Sequence, residues 1–174
     1  VEAERCGVWK QDLNTALFAE GTRIRMPRGV ALARPVHLVL VSSGGAVPVL
    51  SSPRILIEAE EGSRAEILET YVGMGPGAHL TNAVTEAVLA PGAVLTHVRI
   101  QEEGARACHL GRFEARLEAG SRLASHVVSL GAALSRHEIH VRLEGEGAAC
   151  SLDGLYLASA GQHVDHLTVV DHAH

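Results

Sequence analysis

The 174-residue chain carries a net charge of −5 with neutral histidines, so it lacks the basic footprint of a binder of nucleic acid or anionic membranes. Aromatic residues make up 3%, too few to build stacking platforms for single-stranded bases. No apolar run reaches bilayer length and no signal-peptide pattern is visible; Cys6, Cys108 and Cys150 form neither a CxxC nor a paired framework, which fits a reducing cytoplasm.

The chain begins at Val1 rather than Met and stops inside a patterned segment, so it is read as a piece of a longer protein. It is long enough for one domain with its own core. Leu13 to Ala19 is a candidate short helix, with Asn14 as its N-cap. Val36 to Val41 is an apolar strand interrupted by His37, and Ser42 to Pro53, "SSGGAVPVLSSP", has loop composition. Residues 1–53 are therefore expected to form the less regular coils. Gly44-Gly45 lacks the GK[ST] ending of a phosphate loop, and Pro76 blocks the helix that a glycine fingerprint in "GMGPG" would need.

From residue 54 to 174 the chain repeats. "RILIEAEEGSRAEILETYVG", "TNAVTEAVLAPGAVLTHVRIQ", "RFEARLEAGSRLASHVVSLG" and "RHEIHVRLEGEGAACSLDGLYLA" each read as strand, glycine turn, strand. The turn glycines are Gly62, Gly92, Gly120 and Gly147, a period of just under thirty residues that signals stacked repeats. Aligning on them makes columns. The third residue after each is Ala65, Leu95, Leu123 and Cys150; the eighth is Thr70, Ile100, Val128 and Leu155. Both columns are small or branched and are expected inside a single parallel β-solenoid. Their odd and even offsets then require a bend or bulge between them. A β-sandwich would not demand such column-by-column similarity.

The candidate chemistry lies in the histidines. His137-x-x-His140 and His163-x-x-His166 have a spacing that chelates from a helix, but in strands it turns the two rings to opposite faces. His172 and His174 share a face at the chain's end. The remaining metal candidates are His163, His166 and His172 with a carboxylate, where neighbouring coils meet. Cys150 is expected to be a buried small hydrophobe in its apolar column. Cys108-His109 is placed in a connecting segment, and adjacent residues do not make a nucleophile–base pair. Glu60-Glu61 and Glu102-Glu103 flank turns and are expected in solvent. No Ser-His-Asp set or Gly-x-Ser-x-Gly elbow is present.

The stretches "LNTALFAEG", "PRGVALARPVHLVLVS", "ETYVG", "TNAVTEAVL", "QEEG" and "SHVVSLGAALSRHEIHVRLEGEGAACSLDGLYLASAGQHVDHLTVVDHA" resemble, in order, the SufB/SufD family of iron–sulfur cluster assembly proteins. "LDGLYL" and "QHVD" lie closer to the SufD branch. The resemblance implies an all-β, right-handed parallel β-helix core. It further implies a non-catalytic scaffold subunit working with SufB-like and SufC-like subunits, the latter an ATPase. Cluster or iron then belongs to the full complex, with no cofactor bound tightly by this segment. In the family a Lys-Cys-Ser-His-Gly-like motif and a helical SufC-docking region come later than "DHAH". The resemblance therefore assigns no cluster-handling residue to a position here. Unpaired strand edges are expected to favour a homodimer. The contrasting reading is a metal-dependent, cupin-like enzyme using the clustered histidines.

Overall fold

A computed structural model describes residues 11–19 and 21–173. Its chain order is a short helix over residues 11–17, then β1 (Gly21–Met26), β2 (Val36–Ser43), β3 (Val49–Ser51), β4 (Arg54–Ala59), β5 (Arg64–Met74), β6 (His79–Leu89), β7 (Val94–Glu102), β8 (Ala107–Leu117), β9 (Arg122–Ser129), β10 (Leu134–Leu143), β11 (Ala149–Tyr156) and β12 (His163–His172). Strands from successive coils pair in parallel. One sheet runs β1-β4-β6-β8-β10-β12, with β3 also on β6, and the other runs β11-β9-β7-β5-β2. The result is a parallel β-solenoid of about five turns. The repeats demanded this, because each unit has one apolar face and can cover it only with the opposite strand and the coils above and below.

The glycine turns build one corner of every coil. Ser63, Ala93 and Ser121 donate their amides to the carbonyls of Glu60, Ala90 and Glu118, closing four-residue turns whose third residue is the glycine. Gly62, Gly92, Gly120 and Gly147 all have φ near +70°, the left-handed value that a side chain resists. Their amides then ladder upward: Gly62 N donates to Pro91 O, Gly92 N to Ala119 O, and Gly120 N to Glu146 O. Gly29 belongs to the same column, with φ of 69° and its amide on Glu61 O. The N-terminal segment thus forms a coil in register with the rest, since β1 pairs β4 and β2 pairs β5.

Both columns read from the sequence are in true register. Ala65, Leu95, Leu123 and Cys150 stack, as do Thr70, Ile100, Val128 and Leu155. Only the first column faces inward. β5, β7 and β9 alternate in burial without interruption, so the bend expected between the columns is absent and the second column lies on the outer face. Small and branched residues suited both sites, and composition alone could not separate them.

Three local expectations also change. The helix spans residues 11–17 and lies over β4 and β6. Asn14 sits inside it rather than capping it, and its amide donates to Pro53 O at 3.1 Å and Asn82 O at 2.7 Å. The stretch Ser42 to Pro53 is not all loop, because Val49–Ser51 forms β3 against β6. Cys108 and His109 lie on β8, not in a connecting segment.

The core divides across the lumen. Near the glycine corner it is apolar: Met26, Ala59, Leu89, Leu117 and Leu143 stack on one sheet, facing Ala65, Leu95 and Leu123 on the other. Burying each Leu stabilises by about 1.5–3 kcal/mol. Toward the opposite corner the inward positions turn polar, and that half carries the candidate chemistry.

Candidate functional site

The inward residues of β7 are Leu95, His97, Arg99, Gln101 and, just beyond its end, Glu103. One apolar residue is thus followed by four polar ones along a single buried face. The neighbouring coils answer them. β5 contributes Glu69 and Tyr71, β6 contributes His79, Thr81 and Thr85, β8 contributes His109 and Phe113, and β10 contributes Ser135 and His137, all buried.

Two carboxylates organise this set. Glu69 accepts from His97 Nε2 at 3.0 Å, Tyr71 Oη at 2.9 Å and Thr85 Oγ1 at 2.9 Å, with Arg99 Nη1 4.0 Å away. Burial pushes its pKa up, but His97, Arg99 and Tyr71 together prevail and hold it at about 2. Glu103 accepts from Thr81 Oγ1 at 2.5 Å, His109 Nδ1 at 2.5 Å, Gln101 Nε2 at 3.1 Å and His79 Nε2 at 3.2 Å. Burial again raises its pKa, and the donors, His109 first, bring it to about 2. Glu103 is only 2% exposed, so the expectation that Glu102-Glu103 is solvated holds for Glu102 alone.

Arg99 lies beside Glu69 and is linked to Glu103 through His109. Its Nη2 contacts His109 Nε2, and its guanidinium lies 4.4 Å from the centroid of the Tyr71 ring, a cation–π distance. A guanidinium only donates, so His109 Nε2 must accept. His109 is therefore neutral, with its proton on Nδ1 toward Glu103. Burial, with Arg99 adding to it, lowers the His109 pKa against the pull of Glu103, in agreement with this tautomer. The His97 ring stacks on Phe113 at 4.4 Å, and the Tyr71 ring meets His109 edge-on at 4.9 Å.

Glycines opposite the large polar groups make this filling sterically possible. Arg99 faces Gly111, where an added Cβ would overlap the guanidinium and lie 2.7 Å from His137 Nδ1. One coil further, Gly154 faces His166, and a Cβ there would lie 3.1 Å from its Nδ1. Gly154 is the glycine of "LDGLYL" and His166 the second histidine of "QHVDH". The two stretches that stood out in the sequence are thus halves of one contact. Ala83, Gly111, His137 and His166 form one inward column, so the polar band runs along the solenoid axis. His137 is buried with neither ring nitrogen bonded to a protein partner, and its pKa is held well below the usual value by burial, with Arg99 adding to it.

The metal candidates His163, His166 and His172 do not converge; the fold instead brings His166 against His137, ring centroids 6.3 Å apart. His137 faces the lumen and His140 the outside, as strand alternation requires. His163 pairs with Leu134 on the outer face, whereas His166 pairs with His137 on the inner one and bonds Ser129 Oγ at 2.9 Å. His172 shares the inner parity of His166, but six residues of strand put it about 20 Å away. Among the described residues no group of three or more His, Cys, Asp or Glu is placed to hold a metal. His174 and Cys6 lie outside the described residues. Cys108 faces outward while His109 faces inward, so they cannot act together. Cys150 packs on the apolar core, half-buried, and burial raises its pKa.

The carboxylate–arginine–histidine network was missed in the sequence because each polar residue was judged singly. The usable signal was parity: His97, Arg99, Gln101 and Glu103 share the inward phase set by Leu95.

The family model for the SUF system FeS cluster assembly SufBD core domain matches residues 40–174. Among curated proteins, a SufBD family iron–sulfur cluster assembly protein of Synechocystis is 26% identical over 94% of the chain and 38% of its own length. The chloroplastic protein ABCI7 of Arabidopsis thaliana is 31% identical over 82% of the chain and 31% of its own length. The iron–sulfur cluster assembly protein SufD of Escherichia coli is 25% identical over 92% and 38%. The chain thus spans well under half the length of these relatives. No solved structure matches it significantly.

Proposed function

Because the chain belongs to the SufBD core-domain family of the SUF iron–sulfur cluster assembly system, we propose that it is scaffold rather than catalyst. In this reading it acts in the cytoplasm with a SufB-like subunit and a SufC-like ATPase, and iron or the nascent cluster is the cargo of the whole complex. The observation that carries the reading is the family match across a solenoid whose lumen is filled. The two buried carboxylates there are spent on neighbouring side chains: Glu69 and Glu103 are saturated by donors, and Arg99 lies against Glu69 and His109. A rigid, side-chain-filled rod suits holding other subunits in position. No helix among the described residues is long and apolar enough to cross a membrane.

The test is affinity purification of the full-length parent from its own cells. It is expected to bring down an ABC-type ATPase and a SufB homologue in fixed proportion. Recovery of the parent alone, under conditions that preserve other complexes, would sink the reading. Metal analysis of the purified 174-residue chain addresses the enzyme alternative. Stoichiometric, tightly held metal that is lost on His163→Ala with His166→Ala would favour that alternative.

A further inference from the structure

We infer that His137 and His166, adjacent inside the solenoid, form a two-coordinate site for a soft monovalent metal ion of the copper(I) class. The two residues hold neighbouring positions of one inward column, on β10 and β12, with ring centroids 6.3 Å apart and ring planes at 79°. His137 is 2% exposed, and neither of its ring nitrogens meets a protein partner. A buried imidazole in that state is costly, because each nitrogen has given up the hydrogen bond it made with water. His166 Nε2 points into the coil that carries His137, where its partner is the Ser129 hydroxyl at 2.9 Å, a rotor that a metal bond displaces. Burial lowers the pKa of both rings, that of His137 furthest. Both are therefore neutral near pH 7, the form with a lone pair for a metal.

Geometry and charge select the ion. Two metal–imidazole bonds of ~2 Å, with each nitrogen about 1 Å from its ring centre, span about 6 Å when the metal lies on the line between the rings. A tetrahedral angle would draw the centres to about 5 Å. Among the described residues no third His, Cys, Asp or Glu joins the pair, whereas zinc takes three or four protein ligands. A filled-shell monovalent ion accepts two collinear imidazoles, and imidazole suits copper. The buried polar band agrees in charge. It sets two carboxylates, Glu69 and Glu103, against one guanidinium, Arg99, so with neutral histidines one negative charge is left over. A singly charged ion balances that excess. Arg99 opposes positive charge at His137, which weighs against a divalent ion.

Silver(I), an air-stable ion of the same class, is the probe, in nitrate buffer. Thiols also bind silver, so the chain carries Cys6→Ala, Cys108→Ala and Cys150→Ala. The imidazole nitrogen-15 resonances of His137 and His166 are expected to shift together and to saturate at one equivalent. His137→Ala and His166→Ala should each raise the dissociation constant at least tenfold with circular dichroism unchanged. His163→Ala, on the outer face, should leave binding as it was, which separates this site from the enzyme alternative. If the cysteine-free chain does not fold, the unsubstituted chain serves: its thiols take the first equivalents and the histidine shifts follow. Resonances of His137 and His166 that stay fixed in excess silver overturn the proposal, and so does binding that survives His137→Ala. Zinc bound as tightly as silver would overturn the assignment to a monovalent ion.

Discussion

Gly111 shows how much one residue decides in this lumen. It faces Arg99 across the solenoid, and the space of its missing side chain is occupied by the guanidinium and the His137 ring. Gly111→Ala is expected to destabilise by about 1–3 kcal/mol, the cost of overpacking a filled interior. Gly154→Ala should cost less, because the half-buried His166 ring can turn away. Chemical denaturation of the two variants checks the order. Glu69 is the second decisive residue. Glu69→Ala leaves Arg99 and His97 buried without their anion, and about 3–5 kcal/mol should be lost. The pH dependence has a definite sign. Glu69 and Glu103 have folded pKa values near 2 against an ordinary value of 4.5. Their contribution is fully present above pH 4.5 and is lost as pH falls toward 2, on the order of 3 kcal/mol for each group. His137 acts in the same direction. Its folded pKa lies well below 6.5, so below that pH the unfolded chain takes up a proton that the folded one refuses. Stability should therefore fall from about pH 6.5 downward and steepen below 4.5. A melting temperature that rises between pH 6.5 and 4 would contradict the buried network.

The two corners of a coil differ as elements. At the glycine corner, Gly92 and Gly120 have positive φ, but an added Cβ meets nothing within 4 Å. Alanine there pays only for the backbone conformation, about 1 kcal/mol. At the other corner Gly131 has no positive φ recorded, yet a Cβ would overlap the Glu103 carbonyl. Gly131→Ala is expected to cost more than Gly92→Ala and to disturb the Glu103 cluster, which the equilibrium stabilities of the two variants would show. The glycine corner was legible in the sequence because its cause is local: one residue per turn must adopt a left-handed φ. The other corner was not, because its tightness comes from a backbone about thirty residues away. Cys108-His109 was misplaced for a related reason. "QEEGARA" has loop composition, but pairing with β6 and β10 draws Ala107 and Cys108 into a strand.

At the scale of the whole molecule, stacked coils touch only their neighbours, so stability should be graded along the axis. β5 to β10 lie between two coils. β11 and β12 have one neighbour, and their inward residues are half-exposed. Amide hydrogen exchange of this chain should be slowest in β6 to β9 and fastest in β11, β12 and β1. Uniform protection across all strands would mean that the rod opens as a single unit.

The sequence by itself determined the solenoid, its period and its register, because glycine turns and two-residue alternation are short-range rules that repeat visibly. The same alternation turned His163 and His166 to opposite faces and dissolved the apparent metal motif. Tertiary structure alone decided which of two equally apolar columns is core and which is surface, since that depends on which face meets the opposite sheet. It also decided that Glu103, beside a turn, is buried at the centre of a network. Burial of a charge depends on donors brought from other strands, here His79 and Thr81 of β6 and His109 of β8, and only the closed fold places all three around one carboxylate.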